Sequence, residues 1–322
     1  MHRLTGQPSF VDAFISAEGL GRNPDLEAIE AAIDWERVTA LVASIHAAPE
    51  GRPGYPPGVM VKALLLQQWH GLSDPRLEFA LRDSLSFRRF VGLSAQDASP
   101  DHSSISRFRK ALGERGLDAA LFSEIARQLD AQGLMVKSGT ILDATLVRSA
   151  AKKPAMEKGA GARSAVDPDA DWGRGGSGRS VFGYKAHIGV DLGSGLIRRA
   201  LLTPAKVYES EAADALVCGD ERAVYADRAY EKQERRAWLK QCRIKDRIMH
   251  RANKHHPQLT FWRARRNGLI VPIRQTIERT FGTWKRSYGW ARARYMGLTP
   301  NATQLYLICI AFNLRKSVTL QT

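Results

Sequence analysis

The hydrophobic period of this chain changes near residue 138, and that change limits the folds open to it. Before it, apolar residues recur at helical spacing between recognisable stops. Asn23-Pro24-Asp25 opens one amphipathic stretch, and Asp34 caps a second containing Trp35, Val38, Leu41 and Val42. The break PGYPPG (53–58) precedes VMVKALLLQQWHGL (59–72), which reads as a buried helix ending at Gly71. Ser73 caps a helix or helix pair over 73–93, with Pro75 in its first turn and Leu77, Ala80, Leu81, Leu85 and Phe90 along one side. Asp101 caps another over 99–116, stopped by Gly113 or Gly116, and residues 117–134 form an amphipathic helix closed by Gly133. Residues 1–135 therefore read as an all-helical domain.

From 138 the pattern is that of strands. TILDATLV is a short run rich in β-branched residues with no helical stripe. Residues 150–180, rich in Gly, Ala, Lys and Asp, read as a mobile loop. A hairpin follows, 182–191 against 196–207 around the turn LGSG, then a short helix at 209–217 and a fourth strand, AVYAD, at 223–227. The chain from 231 reads as mainly helical and basic, with an insertion at about 231–270 and a final apolar helix at 302–316. This order predicts an α/β domain over 136–322, a mixed sheet flanked by helices. No internal repeat is visible.

Charge narrows the function. The net charge is +15, and all of that excess falls between Arg228 and Arg294, where 19 Lys/Arg face four acids. A segment so one-sided calls for a polyanion, and the phosphate backbone of DNA is the expected one; a solvated basic surface is the competing reading. Three scattered cysteines, Cys218, Cys242 and Cys309, give neither a disulfide framework nor zinc spacing, which fits a reducing, cytoplasmic setting. No apolar run is long enough to span a membrane, and the start lacks the apolar core of a secretion signal.

Phosphodiester chemistry by two divalent ions needs acids from separate parts of a rigid scaffold, converging on cations about 3.5–4 Å apart. Two acids lie at or in apolar strands: Asp143 within TILDATLV, and Asp227 at the end of AVYAD. An Asp in a buried strand is costly unless it is paired or binds metal, and for either one alone a strand-end cap or a salt bridge is the better explanation; together and in this order they point to a site. A third, Glu278, comes from IRQTIERTFGTWKRSYGW (273–290). On a helix of about 3.6 residues per turn, Arg274, Glu278 and Lys285 share one edge beside the apolar stripe of Ile273, Ile277, Phe281 and Trp284. An ordinary Arg–Glu pair on a solvated face is the alternative.

Taken in order, DATLV around Asp143, YADRAY around Asp227, and the R-x3-E-x6-K spacing of Arg274, Glu278 and Lys285 resemble the DDE transposases of the insertion-sequence-four and -five superfamily. GYKAHIGVD (183–191), the PDADW loop (168–172), RTFGTWKRSYG (279–289), PPGVMVKALLLQ and HSSISRFRKAL resemble its insertion-sequence-five group, and the likeness runs from about 50 to 316. The resemblance implies an RNase H-like fold with acids on the first strand, after the fourth strand and on a late helix. It implies Asp143, Asp227 and Glu278 as catalytic residues holding two Mg²⁺ ions, for which Mn²⁺ substitutes, and Arg274 and Lys285 as phosphate contacts. The implied partners are the inverted-repeat ends of a transposon and a target duplex, engaged by a homodimer in the nucleoid. The family signature begins with a Tyr three residues before the Arg; here that position is Val271.

Further DNA contacts are expected at Arg279 and Arg286 and, on a candidate recognition helix at 103–112, at Arg107 and Arg109. For that helix, a surface helix packed by Ile105 and Phe108 is the equal alternative. Phe261 and Trp262 among arginines suit base stacking, while His250, His255 and His256 lack the further ligand that zinc requires. Asp191, Asp220, Glu221, Glu231 and Glu234 read as turn, surface or ion-pair acids. A DNA-binding regulator without catalysis and a general RNase H-like nuclease are the rival functions.

Overall fold

The computed structural model describes residues 2, 4–45, 53–154, 164–175, 178, 180–252 and 257–321. Much of the loop expected at 150–180, and both His255 and His256, lie outside the described residues. Backbone contacts divide the chain into two compact units, residues 1–132 with 306–322, and residues 133–305.

The first unit is helical: α1 (Phe10–Ala17), α2 (Pro24–Ala32), α3 (Trp35–Val42), α4 (Pro57–Trp69), α5 (Asp74–Asp83), α6 (Leu85–Val91), α7 (His102–Glu114) and α8 (Leu117–Ala131). The starts follow from caps, since the side chains of Asn23, Asp34, Ser73, Ser84 and Asp101 each accept a backbone N–H of the first turn. The pair expected over 73–93 breaks at Ser84, which closes α5 through its N–H and caps α6 through its hydroxyl. Nothing in the sequence reading anticipated α1, which buries no residue. Helix α4 is buried along nearly its whole circumference, as its unbroken apolar run requires. The exception within it, Lys62, places its ammonium 2.6 Å from Glu30 and over the Trp35 ring.

The second unit holds β1 (Thr140–Arg148), β2 (Asp171–Arg174), β3 (Ser180–Asp191), β4 (Ile197–Pro204), α9 (Glu209–Ala212), β5 (Ala223–Ala226), α10 (Gln233–Gln241), β6 (Lys245–Ile248) and α11 (Phe261–Arg286). Helix α12 (Leu298–Gln321) ends the chain. One six-stranded sheet runs β2-β3-β1-β5-β6, with β4 also on β3. β3 is antiparallel to β1, β2 and β4, whereas β1, β5 and β6 are mutually parallel. This is the expected mixed sheet flanked by helices, consistent with an RNase H-like domain. Leu142, Ala213, Leu216, Val224, Ala226, Tyr230, Leu239, Ile244 and Ile248 form a buried cluster over its parallel half.

Three sequence expectations need correction. The helical insertion at 231–270 contains β6, a strand of the sheet; its residues KDRI alternate between exposed and covered sides, and charge hid the pattern. The loop at 150–180 contains β2, and residues 164–170 are held by Asp167, which is buried and accepts from the Ser149 and Tyr184 hydroxyls and the Gly297 N–H. Residues 306–322, assigned by sequence to the second domain, cluster with the helical unit, where Trp69 Nε1 donates to the Ala311 carbonyl at 2.8 Å.

Candidate active site

Asp143 sits in the middle of β1, the strand flanked by β3 on one side and β5 on the other. The parallel register aligns Thr140 with Val224 and Ile141 with Tyr225. Continued for two residues, it sets Asp143 beside Asp227, the extended residue that follows β5. Parallel strands deliver functional side chains at their carboxyl ends, where Asp227 follows β5, and Asp143 meets it from within the longer β1. Asp227 also caps the short turn Arg228–Tyr230, accepting the Ala229 N–H at 2.6 Å.

Helix α11 packs on both strands. Ile277, Phe281 and Trp284 form its buried stripe, with Phe281 edge-on to Trp284 and Trp284 edge-on to Trp290. Ile273, expected in that stripe, is half-buried. The docked helix presents Arg274 to Asp143 at 3.1 Å. Burial pushes the Asp143 carboxyl up to about 6, against the pull of Arg274 and with a further push from the charge of Asp227. Glu278 lies one turn beyond Arg274 on α11, is exposed, and stands outside this pairing. The carboxylates of 143, 227 and 278 do not all lie within 4.8 Å of one another. Like charges without a cation repel, and here a guanidinium occupies Asp143.

Among the described residues, the one set of three metal-type ligands within 4.8 Å is Cys218, Asp220 and Glu221. Those acids are already satisfied: Asp220 pairs with Arg198 and with Lys137 at 3.1 Å, and Glu221 accepts the N–H groups of Cys218 and Gly219. Arg198 also donates to Thr140, the first residue of β1, so this cluster braces the sheet at the end away from Asp227.

Two side chains that sequence reasoning did not select, Glu209 and Tyr230, lie within reach of the charges of the paired aspartates. Glu209, at the start of α9, is largely buried and lies 3.9 Å from Lys185 of β3. Its carboxyl is pushed up to about 7, first by burial; the charges of Asp227 and Asp143 add to this, and Lys185 opposes it. Tyr230 is wholly buried, and its hydroxyl is held far from ionisation by burial and by the charges of Asp143, Glu209 and Asp227. ESEA looked like the ordinary acidic start of a helix; the usable signal was its place between the hairpin and the strand that carries Asp227. The acids ranked low behave as ordinary ones: Asp191 accepts the Lys137 and Ser194 N–H groups, Glu231 pairs with Arg236, and Lys232 pairs with Glu234.

A cavity of about 450 Å³ beside β1 is lined by Ala144, Arg148, Arg174, Lys185, Glu209 and Lys285 among others, so Lys285 and Glu209 face one space. Arg279 and Arg286 are exposed on α11, as are Val271, Phe261 and Trp262. Arg107 is exposed on α7, but Arg109 is buried, with its guanidinium on both oxygens of Asp74 at 2.7 Å. The expectation that Arg109 reads bases is corrected: α7 spends it on holding α5. His250 faces Glu231 and Arg236. Among the described residues no helix is long and apolar enough to cross a membrane.

The family description "Transposase domain (DUF772)" matches residues 15–111, and "Transposase DDE domain" matches residues 135–314. No solved structure matches the chain. The second match covers more than half of the chain, including both strand aspartates and the whole R-x3-E-x6-K stretch. Such domains catalyse phosphoryl transfer on DNA with divalent metal ions. The chain belongs to the DDE transposase family, with a helical N-terminal domain of the type that accompanies the insertion-sequence-four and -five enzymes.

Proposed function

We propose that this transposase, a member of the insertion-sequence-five group, cleaves at transposon inverted-repeat ends and joins the freed 3′ hydroxyls to target DNA. Asp143, Asp227 and Glu278 would hold two Mg²⁺ ions, with Mn²⁺ as a substitute. The observation that carries this reading is the adjacency of Asp143, within β1, and Asp227, just past the end of the parallel β5, with α11 bringing Arg274 to the Asp143 carboxylate. The donor set fits such ions: carboxylate oxygens are hard ligands, and the Tyr230 hydroxyl buried beside them has no protein partner among the described residues. When bound, the ions activate the attacking oxygen and neutralise charge on the leaving one.

The chain supplies position and counter-charge. In the first step a water oxygen forms a bond to phosphorus, the P–O3′ bond breaks, and the transposon end departs as a 3′ hydroxyl. In the second step that hydroxyl oxygen forms the new ester, and a target 3′ oxygen leaves with the proton. Arg274 neutralises the Asp143 carboxylate, and with that carboxylate on metal its guanidinium would be available to a phosphate. Lys285 faces the cavity beside β1 and suits the strand next to the cut. Arg279, Arg286 and Arg107 are exposed and suit backbone contacts, which position the protein without reading sequence. The helical unit, residues 1–132 with 306–322, would bind ends and pair two copies, and residues 133–305 would form the catalytic unit.

A nicking assay on end-bearing duplexes tests the reading. The wild-type protein should nick at the repeat ends with Mg²⁺ and not without it. Asp143→Ala, Asp227→Ala and Glu278→Ala should each lower the rate by at least a thousandfold while gel-shift binding persists. Retained cleavage by Asp227→Ala would overturn the assignment, and binding with no nicking by the wild type would favour a regulator.

A further inference from the structure

The three-acid site leaves two observations unexplained. Glu209 is largely buried next to Asp143 and Asp227, and among the described residues the one partner of its carboxylate is Lys185 at 3.9 Å, beyond hydrogen-bond reach. The Lys185 ammonium itself donates elsewhere, to the Val207 carbonyl at 2.8 Å. A carboxylate kept for structure accepts N–H groups or a close cation, as Asp191 and Glu221 do in this same unit. The second observation is the hydroxyl of Tyr230, which has no hydrogen-bond partner among the described residues although its side chain is wholly buried. The charges that bear on it are those of Asp143, Glu209 and Asp227, with Arg274 opposing. A buried hydroxyl is satisfied by protein or by something bound, and here no described residue satisfies it.

The backbone explains why these groups meet. Tyr230 ends the turn that Asp227 caps, so it rides on the same loop. Helix α9 packs against that turn, and its first residue is Glu209. From the other side, Glu209 shares the cavity beside β1 with Ala144, the neighbour of Asp143, and with Lys185 and Lys285. Elements from three separate stretches of chain thus bring a fourth carboxylate and a hydroxyl without a partner among the described residues within reach of the charges of the paired aspartates, although the carboxylates of 143, 209 and 227 do not all lie within 4.8 Å of one another.

We propose that Glu209 is a further metal ligand of this centre, a fourth carboxylate beside Asp143, Asp227 and Glu278, and that the Tyr230 hydroxyl bonds a water held by the same cations. The inference rests on the metal-dependent reading given above. Four carboxylates carry the charge that two divalent cations would neutralise.

Titration calorimetry with Mn²⁺ on the full chain tests it without relying on cleavage. Wild-type protein should bind Mn²⁺ and Asp143→Asn should bind it at least tenfold more weakly; Glu209→Gln should show the same loss, and Tyr230→Phe a smaller one. Glu209→Gln should also raise the melting temperature of the metal-free protein, because it removes a buried charge, whereas a structural Glu would lower it on removal. Wild-type affinity in Glu209→Gln beside a weakened Asp143→Asn would overturn the role of Glu209 and leave the three-acid site standing. Equal affinity in wild type and Asp143→Asn, or no binding at all, would overturn both. Hydroxyl-radical cutting of the wild-type chain by Fe²⁺ bound in place of Mn²⁺ needs no variant. Breaks near 209 as well as near 143 and 227 are expected; breaks near 143 and 227 alone would overturn the proposal.

Discussion

Two arginines two positions apart on α7 have opposite fates. Arg107 faces solvent, while Arg109 is buried and gives two hydrogen bonds to Asp74. The cause is helical period: Arg109 stands four residues after Ile105 and three before Leu112, on the buried stripe completed by Phe108. That position was legible in the sequence, but the charge was read before the stripe. Arg109→Ala should therefore destabilise the protein by about 3 kcal/mol, the cost of taking the cation away from a partly buried Asp74 that keeps the hydrogen bond from Gln67. Arg107→Ala should leave stability unchanged and weaken DNA binding; chemical denaturation and gel shift separate the two. His187 gives a second residue-scale test. It is buried on β3 against Thr203, and burial first, then the Lys185 charge, pushes it down to about 3 from an ordinary 6.5. Between those values the unfolded chain binds the proton and the folded protein does not, so this contribution to stability is lost as pH falls from 6.5 towards 3. The slope is roughly 1.4 kcal/mol per pH unit, and His187→Gln should flatten it in urea titrations at stepped pH.

At the scale of elements, β3 carries the most constraint, since it pairs with β1, β2 and β4. Gly183 lies where β1 comes closest: a Cβ there would meet the Val147 carbonyl oxygen at 2.2 Å and the Ser149 nitrogen at 2.6 Å. Backbone cannot yield as a side chain can. Gly183→Ala should cost several kcal/mol, on the order of other substitutions that force overlap in a packed interior, and calorimetric melting would show it as a lowered midpoint; an unchanged midpoint would contradict this packing. The glycine of GYKAHIGVD thus has a physical reason that its sequence motif did not reveal. Elements with a strong period or clear caps were legible: the helices from α2 to α8, the strand of Asp143, the hairpin and the strand before Asp227. The illegible ones lacked either signal. β6 is four residues with three charged, β2 hides among glycines, and Glu209 looks like any acid at a helix start.

At the scale of the whole molecule, the basic excess from Arg228 to Arg294 and the paired aspartates belong to one unit, so the chemistry and the charge that holds DNA travel together. Family membership makes the chain a transposase; the meeting of its acids around cations is what the functional account adds. The two aspartates were readable because an acid at or in an apolar strand stands out, whereas the pairing of Arg274 with Asp143, with Glu278 exposed one turn beyond, was not, since spacing along a helix edge does not say which of its charged side chains reaches the strand. An anomalous difference map from Mn²⁺-containing crystals of the protein on end DNA tests this most directly. The account predicts peaks within about 2.2 Å of oxygens from Asp143, Asp227 and Glu278. Peaks at Cys218, Asp220 and Glu221, with Glu278 remote from any ion, would contradict it.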